Sequence, residues 1–179
     1  MSAPTVSPAA TRTGTADFAT VETPIGPFTT LVAGDGAVLA AGWTANPEEL
    51  RGLVHATLRP RDLRARADLG AVTTAVTDYH RGDLTAIDTV VVRQRSGEFL
   101  SHAWDVLRTV PAGHPISYTA FAARAGRPAA TRAAAGACAR NAAALFVPCH
   151  RILRTDGTLG GFRWGLPAKR WLLDHESAA

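Results

Sequence analysis

Residues 117–151 read SYTAFAARAGRPAATRAAAGACARNAAALFVPCHR, and their spacing organises the second half of the chain. Tyr118–Ala125 has helical periodicity. Gly126-Arg127-Pro128 then breaks it, and a second helix is expected from Ala129 to Arg140. Helix, tight glycine turn, helix is the outline of a helix-turn-helix. The second helix is nearly smooth, because Ala129, Ala130, Ala133, Ala134, Ala135, Gly136, Ala137 and Ala139 make up most of it. Small side chains allow close approach to a surface. That surface is either the protein core or a nucleic-acid groove. Arg127, Arg132 and Arg140 stand where phosphates or a groove would meet them.

The charge distribution agrees with this placing. The chain has 179 residues and a formal net charge of +4. Residues 1–100 hold nine Arg against eleven acids, a net of −2. Residues 101–179 hold nine Arg and one Lys against four acids, a net of +6. A basic second half is the footprint of nucleic-acid binding, although an arginine-rich solvated surface has the same arithmetic. No apolar run approaches the roughly 18 residues of a membrane span. No leader is apparent, so a cytoplasmic location is expected, with no membrane partner. Cys138 and Cys149 form no CxxC and no zinc pattern; neither a metal nor a disulfide is expected.

Ahead of this half the pattern is α/β. Residues 1–16, rich in Ala, Thr, Pro and Ser, read as a disordered tail. Phe18–Glu22, Phe28–Ala33 and Ala37–Trp43 read as a β-meander turning at Pro24–Pro27 and Gly34–Gly36. Pro47–His55 reads as a helix capped by Asn46. Residues 59–67 read as loop, Leu69–Arg81 as a helix and Ile87–Arg93 as a strand. Gly97–Val110 is an amphipathic helix, Leu145–Val147 a buried strand, and Pro167–Glu176 a last helix. Two domains are expected, 17–95 and 96–179.

Chemistry concentrates at Cys149-His150. A nucleophilic cysteine needs a base or positive surroundings to become thiolate, and an adjacent histidine supplies a base if a turn brings the two together. Adjacency alone is also what a buried cysteine beside a surface histidine would show.

The wider string is more specific. Asn141…Val147-Pro148-Cys149-His150-Arg151-Ile152, Asp156-Gly157, Gly160-Gly161-Phe162, Gly165-Leu166, Lys169, Leu172-Leu173 and Glu176 resemble the methylated-DNA–protein-cysteine methyltransferases. Upstream, Trp104, Leu107, Pro111, Gly113, Ser117-Tyr118, Ala122, Gly126, Arg132 and Gly136 fall at the same family's spacing. The resemblance covers residues 97–176; in the first half only Thr23–Pro27 matches loosely.

The resemblance implies a ribonuclease-H-like first domain and a mainly helical, winged-helix-like second one. It implies direct, single-turnover transfer of an alkyl group from O6-alkylguanine in duplex DNA to Cys149, with O4-alkylthymine as a second candidate substrate. His150 would deprotonate Cys149 through a water and Glu176 would orient His150. Asn141 would shape the hinge after the recognition helix, and Tyr118 would protonate the departing guanine. Arg132 would fill the gap left by the flipped base. Ser117, Arg127, Ala133, Arg140 and Arg151 would lie at the DNA, bound through its minor groove by a monomer. Val147, Ile152, Cys138, Arg163 and Trp164 would surround the substrate pocket. No cofactor is implied.

Departures from the family pattern bear on the pocket. Ala142 and Ala144 stand where many members have proline, and Phe162-Arg163-Trp164-Gly165 replaces the commoner Tyr-x-Gly-Gly. The replacement resembles the bacterial adaptive-response type. Trp164 either narrows the pocket or packs the last helix. Lys169 and Arg170 read as phosphate contacts or solvated groups. His55, His80, His102 and His175 read as surface or capping groups. Two other readings remain at this point: a thiol hydrolase or acyltransferase on Cys149 and His150, and a DNA-binding module without chemistry.

Overall fold

The computed structural model describes residues 14–179. Most of the expected tail, residues 1–13, lies outside the described residues. Thr15 and Ala16 do not belong to a tail: strand β1 (Thr15–Thr23) begins there and buries Ala16. It pairs antiparallel with β2 (Gly26–Val32) across the turn Pro24-Ile25, where Gly26 has φ 111°. Strand β3 (Val38–Gly42) pairs antiparallel with β2 on its far side. Helix α1 (Pro47–Leu53) follows, with the Asn46 side chain accepting from the Glu48 amide.

The arginine-rich segment expected as loop contains a fourth strand. β4 (Asp62–Ala65) runs parallel to β1, completing the order β3-β2-β1-β4. It is an edge strand with exposed polar side chains, and Arg64 is anchored on Asp17 of β1 at 2.7 Å. Such a strand is held by its backbone and its neighbour rather than by an apolar period.

Helix α2 (Ala71–His80) buries Val72, Ala75, Val76 and Tyr79. Ile87–Arg93 is not a strand. It is a run of turns in which Ile87 and Val90 point into the core, and only Val92 bridges to Val38. Its β-branched residues are core anchors, a role that periodicity alone does not separate from a buried strand.

Both faces of the sheet are covered. One carries Ala16, Leu31, Leu39 and Ala40 against Leu50 and Val54 around α1. The other carries Phe28, Val32, Val38 and Ala41 against α2 and the second half. Each of the larger side chains among these, Leu, Val or Phe, contributes about 1.5–3 kcal/mol when buried.

In the second half, α3 (Glu98–Leu107) leads to the short β5 (Ile116–Ser117), α4 (Tyr118–Arg124) and α5 (Thr131–Ala139). The Ser117 hydroxyl caps α4 by accepting from the Ala120 amide at 3.0 Å. Helix α5 starts two residues later than its alanines suggest, because an Arg127–Ala130 turn holds the chain after Pro128. Ala134 and Ala137 are fully buried, and the Trp104 indole donates to the Ala137 carbonyl at 2.9 Å. The inner side of the smooth helix therefore packs on the core.

Leu145–Val147 is not a strand either. Leu145 has φ 72°; the backbone bridge to the sheet is made before the segment, by Ala143 to Ala41, and Phe146 packs edge-on against Phe28 of β2. Strand β6 (Ile152–Leu153) pairs parallel with β5, and α6 (Leu166–Ser177) closes the described chain. Among the described residues, no helix is long and apolar enough to cross a membrane.

Candidate active site

After Pro148 the backbone turns through one 3-10 turn, Cys149–Arg151, before entering β6. A turn rather than a strand lets consecutive side chains serve one site. Cys149 is 9% exposed, and its Sγ accepts from Asn141 Nδ2 at 3.3 Å. The same amide donates to the Val147 carbonyl at 2.7 Å. Asn141 Oδ1 accepts from the Ala143 amide at 3.1 Å and from Gln94 Nε2 at 2.9 Å. All the bonding capacity of this buried amide is used. Asn141 thus ties the end of α5 to the cysteine turn.

Behind Cys149, His150 Nε2 lies 2.8 Å from Glu176 Oε1 on α6, with both side chains 1% exposed. An ionised carboxylate only accepts, so the network puts the imidazole proton on Nε2. Nδ1 is left with its lone pair and has no hydrogen-bond partner among the described residues. Glu176 also accepts from Arg151 Nε and Nη2 at 2.9–3.1 Å and from the Tyr79 hydroxyl at 2.7 Å. Burial pushes the Glu176 carboxyl up, but the His150 and Arg151 contacts outweigh it and hold it well below the carboxylate range. Burial pushes the His150 imidazole down despite Glu176 beside it, so it is neutral at pH 7. Gly113, with φ 75°, leaves room for this arrangement, because a Cβ there would lie 2.9 Å from the Glu176 carbonyl oxygen.

A cavity of about 380 Å³ opens onto Cys149. Tyr118, Cys138, Asn141, Phe162, Arg163 and Trp164 line it, among others. Val147 and Ile152, expected at the pocket, do not line it. They are buried behind it, and their carbonyls accept from Asn141 and Lys169 respectively. A larger groove of about 680 Å³ between β1, β4 and the start of α2 holds neither cysteine nor histidine.

Tyr118 opens α4 and is half-buried. Burial, followed by the nearby Cys138 and Cys149, pushes its phenol up to about 12. Gly160, with φ 69°, lets the loop lie against this ring: a Cβ there would meet the ring and hydroxyl at 3.2 Å. Cys149 itself is pushed up by burial, against the pull of Asn141 and the Lys169 charge.

Lys169 corrects one expectation: it is neither a phosphate contact nor solvated. It is wholly buried, and Nζ donates to the carbonyls of Ile152 and Leu159, at 2.7 and 2.5 Å. Trp164 is expected either to narrow the pocket or to pack the last helix. It borders the pocket, but its indole is laid on β3 rather than on α6, over Gly42, where a Cβ would fall 2.0 Å from the ring. Arg163 donates to the Ala139 carbonyl at 2.8 Å and links the pocket loop to α5.

The residues expected at DNA divide in two. Arg132 and Ala133 are exposed on α5, and Arg140 is exposed at its end. Arg127 is exposed and lies over the Phe99 ring, 4.7 Å from its centroid. Ser117 is a helix cap. Arg151 is no surface group: it is 3% exposed, its Nη1 donates to the Val110 carbonyl and the remaining donors go to Glu176. His80 and His175 are partly buried around Trp171, which stacks on both rings.

Sequence reading missed Tyr79 and Gln94 as members of the site. Tyr79 has the periodicity of an ordinary core position, and Gln94 sits in an irregular segment. Neither carries a local motif.

Comparison with known proteins bears on this geometry. Residues 98–178 match the family model described as "6-O-methylguanine DNA methyltransferase, DNA binding domain". A methylated-DNA–protein-cysteine methyltransferase of Salmonella typhimurium is 31% identical over 158 residues, covering 87% of this chain and 92% of that one. The protein of the same name from Mycobacterium bovis is 35% identical over 164 residues, covering 90% and 92%. Among solved structures, Mycobacterium tuberculosis OGT in complex with DNA superposes with a TM-score of 0.77 at 26% identity, covering 90% and 93%. The two relatives and the solved structure match through both halves of the chain and the family model through the second, and the chain belongs to the methylated-DNA–protein-cysteine methyltransferase family.

Proposed function

We propose that this protein repairs alkylated duplex DNA by moving an alkyl group, methyl above all, from O6 of guanine to Cys149 in one irreversible step. The observation that carries the reading is Cys149 Sγ at the cavity, held by Asn141, with a neutral His150 backed by Glu176 next in the chain.

The chemistry follows from these groups. Sulfur attacks the alkyl carbon in line, so the nucleophile has to be thiolate at that moment. An ordinary thiol is only a few per cent ionised at pH 7, and burial lowers that fraction here. His150 takes the proton at Nδ1, through a bridging water as the family resemblance implies. The resulting imidazolium is stabilised by Glu176. The carbon–O6 bond breaks as the carbon–sulfur bond forms. Guanine leaves as an anion, to which the protonated Tyr118 hydroxyl donates. The lesion supplies the alkyl group and side chains supply the proton transfers, so the step balances without a cofactor. A thioether has no deacylating route, which makes each molecule react once.

The target atom lies inside a duplex, so the base must be extruded into the cavity. We infer that α5 approaches the minor groove with exposed Arg132 entering the stack, Ala133 allowing close approach, and Arg127 and Arg140 near phosphates. Cys138, Arg163 and Trp164 would border the flipped base. We take residues 15–95 and 96–179 as two domains, the first ribonuclease-H-like. The order β3-β2-β1-β4 with β4 parallel supports that. A monomer in the reducing cytoplasm fits a chain whose two cysteines are free.

The test is intact mass measurement after incubation with a duplex carrying O6-methylguanine. The expected outcome is a gain of one methyl on Cys149, one event per protein, lost in Cys149→Ser. Unchanged mass with the lesion still in the DNA overturns the reading, and repeated turnover points to a hydrolase.

A further inference from the structure

The first half of the chain looks like scaffold, yet one of its side chains reaches the reaction's proton relay. We propose that Tyr79 is a positioning residue: its hydroxyl, donated to Glu176 at 2.7 Å from the last turn of α2, fixes the carboxylate that in turn fixes His150. The proposal rests on the alkyl-transfer reading above.

Three observations support it. Tyr79 is wholly buried, so the bond is shielded from competing water. The phenol is pushed far above its ordinary value, first by burial and then by the Glu176 charge, so it is always the donor. The grip is double. The Tyr79 carbonyl accepts from His175 Nε2 at 2.8 Å, so one residue of α2 holds two consecutive residues of α6.

The groups that face Glu176 are His150 and Arg151 from the cysteine turn and Tyr79 from α2. Lys169 on α6 acts on the imidazole from farther away. Two of the three donors to the carboxylate thus come from the cysteine turn and one from the other half of the molecule. A hydroxyl bonded to a carboxylate draws off part of its negative charge. Without it, more of that charge acts on His150 and favours the imidazolium. The base would then be lost at a higher pH.

The experiment compares wild type with Tyr79→Phe in the full chain. Single-turnover methyl transfer from an O6-methylguanine duplex is followed from pH 5.5 to 9. The acid limb is expected to move upward by about half to one pH unit, slowing transfer by up to about 3- to 10-fold well down that limb and much less at pH 8.5. Affinity for undamaged DNA is expected to stay unchanged. A fluorinated tyrosine at position 79 keeps the shape and donates more strongly, so it should move the limb down; it decides the matter if Tyr79→Phe does not fold. Superimposable profiles, or a loss of rate that is uniform with pH and follows the folded fraction, overturn the proposal. A wild-type protein that takes no methyl at all overturns the alkyl-transfer reading instead.

Discussion

At the scale of single residues, Asn141 does more than its neighbours. Four hydrogen bonds converge on one amide, joining α5, the Cys149 turn and Gln94. Asn141→Ala leaves the Ala143 amide unpaired in the interior and takes from the Val147 carbonyl one of its two donors, the Cys149 amide being the other. Denaturant unfolding should show a loss of about 1–3 kcal/mol. Methyl transfer should slow by about 10- to 100-fold, since the sulfur loses its only polar partner among the described residues. A variant with wild-type rate would show that the amide holds the fold but not the nucleophile. The thiol makes a second prediction. Burial raises it, so labelling of the free protein with iodoacetamide should be slow at pH 7 and rise only above the ordinary thiol range of about 8.5. Cys149, His150, Asn141, Tyr118 and Glu176 were named through the family resemblance, and the structure brings them to one place around the cysteine turn. Tyr79 was not. Its chemistry depends on a carboxylate 97 positions away, and its own neighbourhood records only an apolar helix face. Arg151 was misplaced for the related reason that a lone arginine on a basic half reads as surface until its carboxylate partner is known.

Elements were legible where periodicity and packing agree, as in α1, α2, α3 and α6. They were not where the backbone alone makes the element. β4 is held by β1 and an exposed ion pair, and its residues carry no alternation of the kind that marks a half-buried strand. The opposite error occurred at 87–93 and 145–147, where apolar runs are anchors in turns. Two elements from different halves meet at Gly42 of β3 and Trp164 of the pocket loop, and that contact sets a prediction. Gly42→Ala puts a Cβ 2.0 Å from the indole, so the ring must leave its seat. The cost should be about 1–3 kcal/mol of stability. Displacement of a pocket wall should raise the rate on O6-benzylguanine relative to O6-methylguanine. An unchanged ratio would mean that the indole does not limit the alkyl group. Helix α5 carries its own test. Arg132→Ala should weaken binding to undamaged duplex and lower the salt slope by about one, because one cation fewer displaces counterions.

At the scale of the whole molecule, the −2 and +6 halves are not independent bodies. One continuous core runs from Phe28 and Tyr79 to Cys149 and Leu172, and the relay's carboxylate is held from both sides. Stability and proton chemistry are therefore the same problem, and pH should expose it. His150 and His80 are held neutral mainly by burial, so the unfolded chain binds protons near pH 6.5 that the folded chain refuses. Stability from this source is present above about pH 6.5 and declines as pH falls below it. Glu176 adds a second step. Its carboxyl is held low, so its contribution is full above the unfolded value of about 4.3 and is lost as pH falls further toward the folded one. Urea unfolding from pH 8 to pH 3.5 should give a plateau, a shallow decline beginning near neutrality, and a steeper one below about pH 4.3. Glu176→Gln should cost about 3–5 kcal/mol at pH 7 by leaving Arg151 buried without its counter-charge, and should remove the steep limb. If stability stays flat from pH 7 to pH 5, the buried histidines are not held neutral, and the assignment of His150 as a ready base falls with them.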